Sequence, residues 1–408
     1  TNIVERLEKV GVFCPLLSRE TYAGTLGGLV AENAFTCASI THGDTRLWVE
    51  GIRIVLDDGK EYTIEEGVPP TGRLLEIYTN LSNYLEHESG NIHASVNKMI
   101  DSTSGYNIWN RAVGQRQLID LLVGSEGTLG IVTAITLRVV PLIKHSYTLS
   151  CGVNTIADIH HAKKIYRNFD VDSLSLFDTS MLALSSLDDQ KKLPAHIKKN
   201  NTRYILSGLF IRKQDEVAHH MVKSCGNKLI PLSKEIFVET GTSWVEEEHL
   251  FVKKTLHRHL ARVGDFACIT TLDSIATKED ANEKLTDELS QLITSYGYTQ
   301  IFGTQASLTH VSLLFFADTI TRQGRQHLEG FLKEASHIIM MYKGSITGGN
   351  GDGLVRTPYM ETSSDAHMRN VFLYIQRLFD PEQIFNSGKK TFVTTTAIEH
   401  YLHNKASN

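Results

Sequence analysis

Gly124-Ser125-Glu126-Gly127-Thr128-Leu129-Gly130-Ile131-Val132-Thr133 joins an apolar run, Leu118 to Val123, to a β-rich run, Ile131 to Val140. Glycine recurs at every third position of the joint. Glycine admits backbone conformations closed to other residues and lets a chain approach a ligand closely. Strands on both sides would hold such a loop rigidly. Spacing alone fits an ordinary strand-turn-strand as well as a ligand loop.

Three other stretches narrow the choice. They are Gly24-Thr25-Leu26-Gly27-Gly28-Leu29-Val30-Ala31-Glu32-Asn33-Ala34, Ser104-Gly105-Tyr106-Asn107, and Asp380-Pro381-Glu382-Gln383-Ile384-Phe385-Asn386-Ser387-Gly388-Lys389. Together with 124–133, and in this order, they resemble the FAD-linked dehydrogenases of the vanillyl-alcohol-oxidase/cresol-methylhydroxylase superfamily. The D-lactate, glycolate and D-2-hydroxyglutarate dehydrogenase branch is the nearest in pattern. The first and second glycine stretches are similar to its two flavin-contacting loops. Ser104 to Asn107 resembles its glycine-tyrosine turn, and 380–389 its C-terminal signature, with Ser387 where proline is usual. The resemblance implies FAD as cofactor. It also implies flavin contacts from Thr25, Gly27, Gly28, Asn33, Gly124, Ser125, Gly127, Thr128, Gly130, Ile131 and Asn386, with Ile131 packing on the ring.

Bulk composition bounds the alternatives. A chain of 408 residues, 41% of them hydrophobic, can bury large cores and fits two domains. A formal charge of −5 offers no basic surface for nucleic acid. Most of the eighteen histidines, including His160, His161, His219 and His220, read as solvated positions on polar helical faces. The five cysteines are odd in number and form no CxxC, so neither a disulfide framework nor a zinc ribbon is indicated. That points to a reducing, cytoplasmic setting, with peripheral attachment to a membrane left open. No apolar run reaches the roughly 18 residues that span a bilayer.

Residues 1–143 carry glycine-rich loops between β-like runs. Ile52 to Leu56, the turn Asp57-Asp58-Gly59-Lys60 and Tyr62 to Ile64 read as a hairpin. Pro141 ends this block. Beyond it helices and strands alternate. Asn154 is a cap for a helix with Ile156, Ile159, Ala162 and Tyr166 on one face. Arg203 to Ile211 reads as a strand, and Asp215 to Cys225 as a helix stopped by Gly226. Thr277 with Asp280 resembles a capping box before Ala281, Leu285, Leu289, Leu292 and Tyr296. Gln300 to Phe302 and Val311 to Phe316 read as strands. Leu328, Phe331, Leu332, Ala335 and Ile339 line a last helix. The resemblance implies an α+β fold: a PCMH-type FAD-binding domain over 1–143, a substrate cap of helices on an antiparallel sheet over 144–375, and a C-terminal segment, 376–408, returning to the first domain.

In the resembled family an N-terminal subdomain, whose arginine- and glycine-rich loop receives the FAD diphosphate, precedes the point equivalent to Thr1. Nothing in this sequence matches that loop. The resemblance therefore implies only the second subdomain of the FAD-binding domain here. The diphosphate carries about two negative charges and lacks its receiving loop. Residues 1–408 by themselves are expected to hold FAD weakly; stoichiometric yellow flavin on the purified chain would overturn this.

Two motifs do not carry through. Ser387-Gly388-Lys389-Lys390-Thr391 lacks the earlier glycine of a P-loop, since Gln383 stands there. Gly348-Gly349-Asn350-Gly351-Asp352-Gly353 follows no Rossmann pattern. Nucleotide hydrolysis and NAD binding are set aside.

In the metal-dependent branch, one cap motif supplies two histidine ligands, and a second supplies a glutamate ligand followed by a histidine base. The corresponding places are Gly303-Thr304-Gln305-Ala306-Ser307-Leu308-Thr309-His310 and Thr347-Gly348-Gly349-Asn350-Gly351-Asp352-Gly353. Thr304 replaces the first histidine, Gly349 the glutamate and Asn350 the base; His310 alone remains. One histidine without a carboxylate makes no three-ligand site, so no metal is expected. A neutral amide cannot serve as base. Trp244-Val245-Glu246-Glu247-Glu248 places acid where a carboxylate-binding arginine often follows a tryptophan. Arg356 and Arg258 are candidates for the substrate carboxylate, and Arg356 equally fits a structural role. His310 and Tyr22 are candidate substitute bases. Two functions stay open: an FAD-dependent oxidoreductase of a D-2-hydroxy acid, with an unnamed electron acceptor and a homodimer as one assembly, or a degenerate flavoprotein acting as a binding or regulatory subunit.

Overall fold

A computed structural model of the protein describes residues 3–17, 25–36, 39–96, 103–108, 115–143, 145–191, 193, 197, 201–240, 251–252, 255, 266–303, 307–362 and 364–391. The first domain contains α1 (Leu26–Ala31), β1 (Val49–Val55), β2 (Glu61–Glu65), α2 (Gly72–His87), α3 (Gln115–Leu122) and β3 (Ile131–Leu137). The three strands form an antiparallel sheet in the order β2-β1-β3. The hairpin turn forms as its sequence demands: Gly59 takes φ +74, Lys60 N–H donates to Asp58 Oδ1, and the Tyr62 hydroxyl donates to Asp58 Oδ2.

One expected element changes type. Leu118 to Val123 lies in α3 and the turn after it, so the glycine loop joins a helix to a strand. Leu118, Ile119, Leu121 and Leu122 are all buried. A short apolar run has no periodicity to separate buried helix from buried strand. The helix α2 presents Leu74, Ile77, Leu81 and Leu85 to the same core, at helical spacing.

The cap follows, with β4 (His145–Val153), α4 (Ile156–Arg167), β5 (Ser173–Asp178), β6 (Tyr204–Arg212), α5 (Asp215–Leu229) and β7 (Ile236–Thr240). These strands pair antiparallel in the order β5-β6-β4-β7. A second sheet, in the order β8-β10-β9, is built from β8 (Phe266–Ile269), β9 (Thr299–Phe302) and β10 (Leu313–Asp318), with α6 (Glu279–Ser295) and α7 (Arg322–Met341) against it. Phe302 N–H donates to Asp178 Oδ2 and joins the two sheets. Leu149, Tyr166, Phe210, Leu289, Phe315 and Phe331 share the cap core. Burial of each large side chain contributes about 1.5–3 kcal/mol.

Several local expectations shift. Thr155, not Asn154, caps α4, accepting from Asp158 N–H; Asn154 Oδ1 accepts from Arg203 N–H instead. Helix α5 runs through Gly226 to Leu229, which is fully buried and anchors the extra turn. Lys278 occupies the cap position of α6, and Thr277 pairs its N–H with Thr309 O. The strand expected over Val311 to Phe316 breaks at Ser312, whose hydroxyl donates to Asp273. His160 is buried rather than solvated, and burial beside Lys163 and Lys164 pushes its imidazole down to about 3, so it is neutral.

The last helix, α8 (Ala366–Phe379), packs on the first sheet's side of the molecule. Met360, Met368, Val371, Phe372, Ile375 and Phe379 lie in the core of the first domain. The limit expected at 375 falls inside this helix. Tyr84 of α2 stacks on Tyr374 of α8 with ring centroids 3.7 Å apart. No described helix is long and apolar enough to cross a membrane.

Candidate flavin and substrate site

The two glycine loops lie side by side. Thr25 Oγ1 accepts from Gly28 N–H and starts α1. Gly124 N–H donates to Val30 O at 2.9 Å, and Glu126 N–H to Ala31 O at 2.8 Å. Arg46 Nη2 adds a bond to Val123 O at 2.8 Å. The C-terminal signature closes over the second loop: Asn386 Nδ2 donates to Glu126 O at 2.7 Å, and Asn386 N–H to Gly127 O. Tyr106 of the glycine-tyrosine turn donates from its hydroxyl to Thr128 Oγ1, which in turn donates to Ser125 O. Burial holds the Tyr106 phenol well above its usual range, so it stays a donor.

Not every residue expected at the flavin is free to meet it. The Asn33 side chain is buried and committed, donating to Asp44 Oδ2 at 2.7 Å and accepting from Arg46 N–H. Gly130 sits against β1, where a Cβ would lie 2.8 Å from Val55 O and 2.7 Å from Ile54 Cδ1. Its glycine is required by the fold. Gly27 is the opposite case: nothing lies within 4 Å of a Cβ built there, and its φ is ordinary. Helix α1 packs beside β3, whose first residue, Ile131, is 58% exposed. The open glycine face at Gly27 and the exposed side chain of Ile131 are the two surfaces expected to form a cradle for the planar apolar ring.

Gly27→Leu tests that cradle. The leucine meets no protein atom at its Cβ and replaces a helical glycine, which is worth about 0.5–1 kcal/mol of stability. The variant is expected to melt no lower than the unchanged protein, yet to bind added FAD at least about tenfold more weakly by quenching of flavin fluorescence. Unchanged affinity would move the ring elsewhere.

The cap side is filled. Phe35 N–H donates to Asn350 Oδ1 at 2.9 Å across 315 positions of sequence, and Asn350 adopts φ +62 to reach it. The Phe35 ring lies on the His310 ring, centroids 4.5 Å apart. His310 Nε2 is 3.2 Å from Gly348 O, so that nitrogen carries the proton, and Nδ1 faces the Thr309 and Ser307 hydroxyls. A Cβ at Gly349 would lie 2.7 Å from Phe35 Cβ and 2.9 Å from Ser274 Oγ. The place of the missing carboxylate ligand is thus taken up by an aromatic side chain. Among the described residues no three His, Cys, Asp or Glu side chains converge as a metal site would need.

Arg356 departs from its candidate role. Its Nε donates to Thr271 O, Nη1 to Gly349 O and Gly351 O, and Nη2 to Thr270 O and Asp273 O. All five guanidinium donors are spent on backbone carbonyls in a buried setting, which leaves none for a substrate carboxylate. Thr304, Trp244 to Glu248, Arg258 and Tyr22 lie outside the described residues. Phe35, Glu126, Asp352 and Lys390 were not singled out from sequence. Glu126 and Asp352 stand inside the quoted glycine motifs, and a charged residue among glycines was the signal available to find them.

Residues 271–390 match the family described as FAD linked oxidases, C-terminal domain. The glycolate oxidase subunit GlcD of Bacillus subtilis is 21% identical over 397 residues, covering 95% of this chain and 72% of that protein. The mitochondrial D-lactate dehydrogenase [cytochrome] of Arabidopsis thaliana is 21% identical over 388 residues, covering 94% of this chain and 59% of that protein. The 4-ethylphenol oxidase from Gulosibacter chungangensis, in its isoeugenol complex, shares the fold with a TM-score of 0.62 at 12% identity, over 96% of this chain and 74% of that one. With the α+β fold and the paired glycine loops, these likenesses fit an FAD-linked dehydrogenase and indicate FAD as its cofactor.

Proposed function

We propose that this flavoprotein keeps the flavin cradle of the D-2-hydroxy-acid dehydrogenases but has closed their substrate side, and that it serves as a binding or regulatory subunit. One observation carries this: Phe35, held by Asn350 and in tilted ring contact with His310, occupies the space beside Gly349 where a ligand-bearing side chain would stand. FAD, when bound, supplies a hydride acceptor. Thr25, Gly27, Gly28 and Ile131 would hold its ring. On the cap side Asn350 takes no proton, the Arg356 donors are committed, and Phe35 stands in the way of a substrate beside Gly349. His310 Nδ1 is the one basic nitrogen of this cluster, and two hydroxyls already face it.

A second function, oxidation of D-lactate, glycolate or D-2-hydroxyglutarate with electrons passed to a separate acceptor, is favoured by what the related proteins are named for. Anaerobic bleaching of the FAD-loaded protein separates the two. The closed-site proposal expects no bleaching by these three acids over minutes, while dithionite bleaches at once. Bleaching within seconds by any of them would establish the second function.

A further inference from the structure

We propose that Lys390 is the positioning residue that locks the flavin-side loop 124–130 to the cap motif 347–353 through a three-way ion pair whose ammonium is fully buried. This rests on the proposal that loop 124–130 meets the flavin. Lys390 Nζ lies 2.9 Å from Asp352 Oδ2, 3.1 Å from Glu126 Oε1 and 3.1 Å from Thr103 O. Its side chain is 0% exposed. The carboxylates reach further. Glu126 accepts from Asp352 N–H and, at 2.9 Å, from Gly353 N–H. Asp352 Oδ2 accepts from Gly105 N–H at 2.9 Å, and Thr103 N–H donates to Thr347 O. One ammonium therefore gathers the glycine-tyrosine turn, the second glycine loop, the cap motif and the end of the C-terminal signature. Four segments far apart in sequence meet at one atom.

Geometry also explains why Glu126 stands where a glycine loop has little use for a long acid. Its backbone takes φ +54, which turns the side chain away from the loop and into the cap. Burial works against the Lys390 charge, but Asp352 and Glu126 outweigh it and hold the ammonium above its ordinary range. An ion pair desolvated this fully is costly to break by removing one partner, because the other is left buried and unpaired. The lock is therefore all-or-none: the loop has one position relative to the cap.

The experiment is amide exchange and FAD titration on the full chain with Lys390→Met, and with Glu126→Gln as the milder variant. Both are expected to speed exchange of residues 103–108, 124–130 and 348–353 together, by at least about tenfold, while α4 and α6 keep their protection. Both are also expected to weaken FAD binding by at least about tenfold and to change the visible circular dichroism of bound flavin. If Lys390→Met unfolds the chain, Glu126→Gln decides. Faster exchange confined to 388–391, or loop protection unchanged in Glu126→Gln, overturns the lock. If exchange responds as expected but the unchanged protein takes up no FAD, the lock holds and the flavin assignment of the loop falls.

Discussion

The double change Gly349→Glu, Asn350→His is expected to leave D-2-hydroxy-acid oxidation as slow as in the unchanged protein and to destabilise the fold by about 3 kcal/mol or more. On sequence alone the same change restores a ligand and a base, and a base alone is typically worth about 10²–10⁴ in rate. A metal adds several kcal/mol of stabilisation to a developing alkoxide. The packing denies both. A Cβ at Gly349 would stand 2.7 Å from Phe35 Cβ, before any carboxylate is added. Overpacking of this kind costs about 1–3 kcal/mol. A carboxylate forced into the space finds no cation, because the Arg356 donors are all committed, and an unpaired buried charge costs more still. Removing the Asn350 amide also strands Phe35 N–H. Adding Phe35→Gly, which removes that Cβ, is expected to recover the part of the loss that the overpacking causes. Urea denaturation and anaerobic flavin reduction measure the two halves. A double variant as stable as the parent, bleached within seconds by D-lactate, would show that Phe35 yields freely and that the closed-site proposal is wrong.

This contrast shows what the sequence could carry and what it could not. The four glycine and signature motifs were legible through their resemblance to a family pattern, while turns, caps and helical stripes were legible from local causes. The lost ligands at Gly349 and Asn350 were legible for the same reason, as substitutions in a recognisable frame. What filled their place was not. Phe35 lies 315 positions from Asn350, and no local rule pairs a phenylalanine amide with a distant asparagine. Lys390 likewise read as part of a failed phosphate motif until the fold set it between Glu126 and Asp352. Helix α3 was missed because the five apolar residues of 118–123, broken only by Asp120, satisfy strand and helix equally. Arg356 could be weighed from sequence only as one of two roles, since its five partners are backbone carbonyls and leave no trace in side-chain identity.

Arg356 gives the second large effect. Arg356→Lys is expected to lower the stability of the protein by about 3 kcal/mol or more and to leave any hydroxy-acid affinity unchanged. The guanidinium ties Thr270, Thr271 and Asp273 to Gly349 and Gly351. Lysine brings three donors on a single nitrogen, so at least two of the five carbonyls lose their partner. Hydrogen bonds to a charged donor contribute about 1.5–3 kcal/mol each, and a buried polar group left unsatisfied costs about 1–3 kcal/mol. Arg356→Met removes every donor and is expected to cost more than the lysine variant. Burial beside Asp273, Asp352 and Glu126 keeps the native charge in place: desolvation pulls the guanidinium down, the carboxylates push it up, and a group with so high an ordinary range stays protonated at neutral pH. The loss should therefore be the same from pH 6 to pH 8. A residue that instead receives a substrate carboxylate would behave in the reverse way, with stability nearly intact in Arg356→Lys and ligand binding weakened. Because the clip fixes Gly349 and Gly351 on either side of Asn350, its loss should also release Phe35. Faster amide exchange at Phe35 in Arg356→Lys, with α8 unaffected, would tie the arginine to the closure of the site, and an unchanged Phe35 would confine its role to the strand ends at 270–273.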